Sequence, residues 1–361
     1  MEDFQLFKNI TIASRSGNYD VVFYESFYKH LSENFKEGDF VIIDQTIHEL
    51  HPKIAEKFGR RIYIATALEI TKSYSGIIPV LDAVIYSGFR KNNRLIAIGG
   101  GIIQDITSFI ASILFRGVDY VFYPTNVLSQ CDSCIGSKLS INFNQYKNLL
   151  GGFYPPKLIV IDTNLLTTLK SKDIASGLGE ILHYCLVSSV YDFKFFMKQA
   201  PIVKQNTNNI TPLLRRSLEI KKNMIEIDEF DLGPRNVFNY GHSFGHALES
   251  ALDYSIPHGI AVAYGIDLAN QVSVKKGLLT IEERNALRQA CEIVFSEMAL
   301  PPVDLYKYKA ALLRDKKNVG NEIGLILSRG IGDMFFKTCP YVELEETISL
   351  FFNNKSYLTS L

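Results

Sequence analysis

Residues 1–168 of this 361-residue chain predict a parallel-sheet α/β domain, and residues 169–361 a mainly α-helical one. Three observations carry that reading. The first half contains short, continuous apolar runs rich in β-branched residues and bounded by Gly, Pro and Asp, as expected of strands covered on both faces. Helix-like segments alternate with these runs, which argues for parallel pairing. From about residue 170 long helical periodicities replace them.

In chain order, DFVIIDQ (39–45) and RRIYIAT (60–66) read as buried strands, followed by a helix-like segment from about Thr71 to Lys91. RLIAIGG (94–100) and DYVFYPT (119–125) complete the strand pattern, which changes after KLIVIDTNLL (157–166). Helical periodicity then covers 172–190, 210–227, 241–253, 258–277 and 281–297. No internal repeat or low-complexity linker separates the halves, so the two domains are expected to pack around a cleft.

Composition narrows the function. The chain is 47% hydrophobic, enough for a sizeable core. Lys plus Arg and Asp plus Glu number 38 each, so neither a nucleic-acid nor a membrane-surface partner is expected, and any basic site must be a local pocket. No uninterrupted apolar stretch approaches the roughly 20 residues of a membrane helix. The acidic start MEDFQLFKNI does not read as a signal peptide. Five scattered cysteines fit a reduced, cytoplasmic setting, and the Cys131–Cys134 pair alone is a weak metal or redox signal.

Three stretches carry chemistry. In RLIAIGGGIIQDITSFIA a strand runs into Gly99-Gly100-Gly101 and a helix follows. Glycines let backbone approach a phosphate and a helix N-terminus favours its charge, although a plain strand-to-helix turn would use the same residues. Next, RNVFNYGHSFGHALESALDYSIPHG holds three of the seven histidines. His242 and His246, four apart, share a helix face, and an antiparallel helix pair would return His258 to them. A catalytic zinc takes three protein ligands and keeps one position open. Glu180, a lone charge on the mostly apolar helix SGLGEILHYCL, fits as a third ligand, with His183 one turn on as its rival. Finally, Lys138, Lys147, Lys221, Arg235, Lys316 and Lys317 each stand beside Asn, Asp or Gly in apolar surroundings. With Asn148 and Asn239 they could converge on a phosphate or carboxylate, while each alone reads as a solvated surface charge.

Taken in order from about residue 40 to 335, these stretches resemble the dehydroquinate synthases and their relatives, the sugar phosphate cyclases. GGGIIQD is similar to GGGVxGD. RGVDYVFYPTNVLSQCDSCIGSKLSIN resembles RGxxxxxxPTTLLAxxDSSxGGKxxxN, and YKNLLGGFYPPKLIVIDTNLLTTL resembles GKNxxGxFxxPxxVxxDxxxLxTL. ASGLGEILHY looks like AxGxAEVIKY, RNVFNYGHSFGHALE like RxxLNxGHxxGHAxE, HGIAVAYG like HGxAVAxG, and DKKNVGNEIGLIL like DKKxxxGxxxxxL.

The resemblance implies a Rossmann-like NAD-binding domain and a helical metal-binding domain in a cytoplasmic homodimer acting on a small sugar phosphate. It implies that Glu180, His242 and His258 hold zinc, with cobalt as a substitute, and that His246 lies on the substrate side. Arg116, which could act across the dimer contact, Asp132, Lys138, Asn148, His183, Lys221, Arg235, Asn239 and the pair Lys316 and Lys317 fall on substrate-pocket positions. Asp44, Glu69, Lys72, Gly99, Gly100, Gly101, Asp105, Thr125, Asn126, Lys147 and Thr168 fall on cofactor positions. The implied reaction oxidises a ring hydroxyl of a heptulosonate phosphate, expels phosphate from the acidified carbon framework, reduces the ketone again and closes a carbocycle by an internal aldol step.

Four positions depart from the pattern: His183 replaces lysine, Ser137 in GSK replaces glycine, Gln104 replaces glycine before Asp105, and Asn126 replaces threonine. Retention of Lys221, Arg235, Asn239, His246 and the pair Lys316 and Lys317 favours 3-dehydroquinate as the product. His183 and Ser137 favour the same mechanism on another substrate, such as sedoheptulose 7-phosphate or an amino analogue. A catalytically silent binding protein is the third reading. The DSxxGxK and KN motifs argue against a metal-dependent polyol dehydrogenase.

Overall fold

A computed structural model describes residues 8–144, 146–315, 318–320 and 322–353. The chain forms two compact units: Met1–Thr168 with Leu214–Phe230, and Leu169–Leu213 with Asp231–Leu361.

The first unit is built on β1 (Ile10–Ile12), β2 (Tyr19–Phe23), α1 (Phe27–Asn34), β3 (Phe40–Asp44), α2 (Gln45–Leu50), α3 (Lys53–Phe58), β4 (Ile62–Ala65), α4 (Ile78–Tyr86), β5 (Leu95–Gly99), α5 (Gly101–Ile113), β6 (Tyr120–Pro124), the hairpin β7 (Lys138–Phe143) and β8 (Tyr146–Phe153), and β9 (Leu158–Ile161). Seven strands lie in the order β1-β2-β9-β6-β5-β3-β4, and every pairing except β1 with β2 is parallel. All five residues of β5 and of β6 are buried, which is why these strands read as unbroken apolar runs. At the edge, β4 leaves Ile64 exposed.

The helix expected from about Thr71 to Lys91 is shorter. It starts only at Ile78, with Pro79 in its first turn, where the missing N–H costs nothing. The preceding backbone is drawn away: the Tyr74 N–H donates to the Asn142 carbonyl on β7 at 3.0 Å, and the Gly76 N–H to Ser73 Oγ at 3.1 Å. In KLIVIDTNLL the strand stops at Ile161, because the Asp162 carboxylate accepts from the N–H groups of Phe27 (2.8 Å) and Asn164 (2.9 Å) and turns the chain.

The second unit holds α6 (Ser171–Ser188), α7 (Val190–Gln205), α9 (His242–Ala251), α10 (His258–Lys275), α11 (Ile281–Phe295), α12 (Leu305–Leu313), the antiparallel hairpin β10 (Glu322–Ser328) and β11 (Met334–Pro340), and α13 (Tyr341–Asn353). The helix α8 (Thr211–Ile227) belongs from Leu214 onward to the first unit. Helix α10 is buried on all sides and packs against α6, α9 and α11, which explains its lack of a polar face. Its one buried acid, Asp267, is paired with Arg288 (2.5 Å) and Arg284 (2.8 Å). No helix among the described residues is long and apolar enough to cross a membrane.

Glycines set the helix spacing in this unit. A Cβ on Gly179 of α6 would strike the backbone of Gly259 on α10, and one on Gly259 would strike the Ser176 carbonyl. A Cβ on Gly265 would likewise meet the Gly241 carbonyl, and Gly241 itself, at φ +79°, leads into α9. In Gly259→Ala the helix-propensity gain of about 1 kcal/mol is outweighed by overpacking of about 1–3 kcal/mol or more against unyielding backbone. Thermal unfolding should therefore move to lower temperature, and an unchanged or higher Tm would contradict the backbone contact.

Candidate metal centre and anion-binding residues

Glu180 is the second residue after Gly177-Leu178 in the tightly packed stretch of α6, and it is 2% exposed. Its Oε1 lies 3.1 Å from His258 Nε2 and 3.4 Å from His242 Nε2, yet takes no well-directed hydrogen bond. The far nitrogens of both rings are held. Nδ1 of His258 lies 3.2 Å from Glu249 Oε2, and Nδ1 of His242 lies 3.2 Å from the Tyr240 carbonyl. In a neutral ring an Nδ1 that faces an acceptor carries the proton, which would leave the Nε2 lone pair toward the Glu180 oxygen. One carboxylate oxygen and two imidazole lone pairs turned toward a common centre, without hydrogen bonds to satisfy them, is a donor set for a cation such as zinc.

Burial alone would raise the Glu180 carboxyl. The surrounding imidazoles, His242 first and then His183 and His258, outweigh it and hold the group well below the usual carboxylate range. For His258, burial disfavours charge, but Glu180 and Glu249 together raise its pKa well above the usual imidazole value. His246 belongs to the same cluster: ring nitrogens of His242, His246 and His258 lie within 4.8 Å of one another. It is exposed, whereas the other two are half-buried. His183 is fully buried, with Nδ1 at 3.5 Å from Glu180 Oε2, the oxygen turned away from His242 and His258. Its ring packs edge-on to His242 and Phe238.

The same unit carries Arg235 and Asn239 on the turn Pro234–Asn239, just ahead of α9. Arg235 is 5% exposed, and Asn239 Nδ2 donates to the carbonyl and side-chain oxygens of Asn236 at 3.0 and 2.9 Å. Lys316 and Lys317 lie outside the described residues.

In the first unit two charged clusters form. Lys221 on α8 is buried and donates to the Asp132 carboxylate and carbonyl, both at 2.7 Å. Lys72, also buried, donates to Asp105 Oδ2 at 3.2 Å and to Asn148 Oδ1 at 2.9 Å. Asn148, at φ +52°, is thereby grouped with Lys72 and Asp105, and its Oδ1 also accepts from Ser140 Oγ. Burial raises the Asp105 carboxyl, and Lys72 with the Ser140 N–H only partly offsets this.

The glycine turn stands at the C-terminal end of β5, where open α/β sheets bind ligands. Gly100 caps α5, and a Cβ there would lie 2.5 Å from Asn126 Nδ2, so the Asn126 side chain would have to shift. Asn126 Oδ1 accepts from the Ser129 N–H at 2.8 Å, and the Thr125 N–H donates to the Gly99 carbonyl at 3.0 Å. Asp44, at the end of β3, caps α2 through the Thr46 N–H at 2.7 Å. Glu69 accepts from Asn142 Nδ2 at 2.7 Å and shares with Lys147 a cavity of about 410 Å³ that Tyr74 and Phe143 also line. Arg116, at φ +62°, and Thr168 are exposed. Cys131 and Cys134 are buried, and burial pushes the Cys134 thiol up to about 12, which speaks against a redox pair.

Sequence reasoning gave no role to Glu249, which holds His258. It stood in plain view as the last residue of GHSFGHALE, where it looked like an ordinary helix-surface acid. Glu249→Gln keeps the shape but loses the charge on His258 Nδ1. Zinc affinity, read by chelator competition, should fall by about 10- to 100-fold. Unchanged affinity would remove Glu249 from the site.

A family profile described as 3-dehydroquinate synthase N-terminal matches residues 62–176, and one described as 3-dehydroquinate synthase C-terminal matches residues 177–318. The 3-dehydroquinate synthase of Syntrophotalea carbinolica is 33% identical over 283 residues, which is 78% of this chain and 76% of that protein. Among solved structures, a 2-deoxy-scyllo-inosose synthase complexed with carbaglucose-6-phosphate, NAD+ and Co2+ has the same fold, with a TM-score of 0.84 at 21% identity over 94% of this chain and 99% of that one. ValA, the 2-epi-5-epi-valiolone synthase of Streptomyces hygroscopicus solved with NAD+ and Zn2+ bound, gives a TM-score of 0.83 at 25% identity over 95% of this chain and 99% of that one. With both halves matched in order over residues 62–318, the chain belongs to the 3-dehydroquinate synthase family.

Proposed function

We propose that the chain is an NAD- and zinc-dependent 3-dehydroquinate synthase, a carbon–oxygen lyase that expels phosphate from 3-deoxy-arabino-heptulosonate 7-phosphate and closes a carbocycle. The observation that carries this is the buried Glu180 Oε1, which takes no hydrogen bond and stands before two imidazoles whose other nitrogens are already held. Glu180, His242 and His258 would hold the divalent ion. The glycine turn at 99–101, with Asp44, Glu69, Lys72, Asp105, Thr125, Asn126, Lys147 and Thr168, would hold the dinucleotide; the position of that turn at the C-terminal end of β5, ahead of α5, supports this. When bound, the dinucleotide takes and returns a hydride and the ion polarises the reacting oxygens.

The chain's own residues do the binding and proton handling. Lys138, Lys221, Arg235 and Asn239 bind the anionic ends of the substrate and so orient its reacting carbons. Asp132 and Asn148 keep Lys221 and Lys72 in place. His246, the most open imidazole of the cluster, would exchange protons with the substrate and water. The setting this reading implies is a cytoplasmic homodimer in the shikimate pathway, with Arg116 acting across the dimer contact.

Purified protein incubated with NAD, zinc and single sugar phosphates should release phosphate from 3-deoxy-arabino-heptulosonate 7-phosphate. Release from sedoheptulose 7-phosphate or an amino analogue alone would transfer the same chemistry to that substrate, and release from none would leave a binding protein. His183 is the departure closest to the metal set. Because it contacts the outward oxygen of Glu180, His183→Lys should keep the zinc content and retain turnover; loss of zinc would instead make His183 a ligand.

A further inference from the structure

Ser137 occupies a position that its backbone would give to glycine. Its φ is +63°, and the Lys138 N–H donates to the Gly136 carbonyl at 2.8 Å. An i to i+2 bond around a residue of positive φ is the rarer, strained form of γ-turn. The turn is pinned from three sides. The Gly136 N–H donates to Tyr19 Oη at 3.0 Å, the Tyr154 N–H to the Ser137 carbonyl at 2.7 Å, and Ser137 Oγ to Glu229 Oε1 at 2.9 Å. Glu229 is 7% exposed and also accepts from Ser14 Oγ at 2.6 Å and the Arg15 N–H at 2.9 Å. Burial works to raise its carboxyl, and the donors from Ser14, Arg15 and Ser137 outweigh this and hold it below the usual range. The residue released by the turn, at the start of β7, is Lys138.

We propose that Glu229 is a positioning residue: through Ser137 Oγ it holds the strained turn that presents Lys138 to the phosphate of the substrate. The inference rests on the reading of Lys138 as a phosphate contact. A glycine at 137 would adopt the turn unaided, so the carboxylate matters because serine stands there. Glu229 also follows α8, which carries Lys221, so one buried anion ties the 14–15 segment, the Lys138 turn and the end of that helix together.

Glu229→Gln should raise KM for 3-deoxy-arabino-heptulosonate 7-phosphate by about tenfold with kcat changed by less than about threefold, the size of one lost hydrogen bond to a charged group. The rise should shrink to less than about threefold when Ser137→Gly is present in the same chain. Ser137→Ala, which keeps the strain and removes the hydroxyl while leaving Ser14 and Arg15 on Glu229, should raise KM more than Ser137→Gly does. An unchanged KM in Glu229→Gln, a fall confined to kcat, or an equal penalty in the glycine background would overturn the proposal. Calorimetric titration with inorganic phosphate reads the same contact without turnover, and so separates it from the synthase reading. Weaker phosphate binding by Glu229→Gln than by the unaltered chain supports the proposal even if no sugar phosphate is turned over. Equal binding, or no binding by either, refutes it.

Discussion

Helices α6 and α10 meet backbone to backbone at Gly179 and Gly259, and the residues flanking those glycines are Glu180 and His258. Any side chain at either glycine would separate the helices by the thickness of a methyl group. That separation exceeds the tolerance of a coordination bond, which is a few tenths of an ångström. A second contact of the same kind, Gly265 against Gly241, fixes the start of α9 and with it His242. The three candidate ligands are therefore placed by van der Waals contact between backbones before any ion contributes. The pattern of glycine beside histidine or glutamate, at Gly179-Glu180, Gly241-His242 and His258-Gly259, is the sequence trace of that packing.

Among the buried acids of the second unit, Asp267 and Glu180 meet the cost of burial in opposite ways. Asp267 is closed off by the guanidinium groups of Arg284 and Arg288, a self-contained pair of ion contacts deep beside α11. Glu180 meets imidazoles whose far nitrogens are held by Glu249 and the Tyr240 carbonyl. The first arrangement sets two fixed cations against the acid, although Asp267 Oδ1 takes no well-directed hydrogen bond. The second gathers a carboxylate oxygen and two imidazole nitrogens at one point, the donor set that a cation would take. The same logic separates Lys221, already joined to Asp132, from a lysine that merely covers surface.

Departures from the family pattern are accommodated by compensation in the structure. Ser137 keeps a glycine-like φ, and the carboxylate of Glu229 holds its hydroxyl. Asn126 caps the turn that follows β6 through the Ser129 N–H and closes over Gly100. Gln104 donates to the Ser133 carbonyl and accepts from its hydroxyl, bridging α5 to the turn that carries Asp132. His183 has exchanged a flexible cation for a buried ring packed between His242 and Phe238.

Read alone, the sequence determined the parallel sheet, because strands covered on both faces must be continuously apolar, and the helical second half, because 3.6-residue periodicity survives for four or five turns. It also singled out Glu180 and the clustered histidines as candidate ligands, since lone polar residues in apolar stretches need a partner. It did not reveal the shortened helix at Ile78 or the hairpins β7–β8 and β10–β11, whose limits depend on pairings with distant strands. Nor did it show that α8 joins the first unit beyond Leu214. Only tertiary structure decided that Glu249 orients His258, that Asn148 serves Lys72, and that Glu229 holds Ser137. Each of those contacts joins residues whose spacing in the chain carries no periodic signal, so it exists only once the packed backbones have set the distance between them.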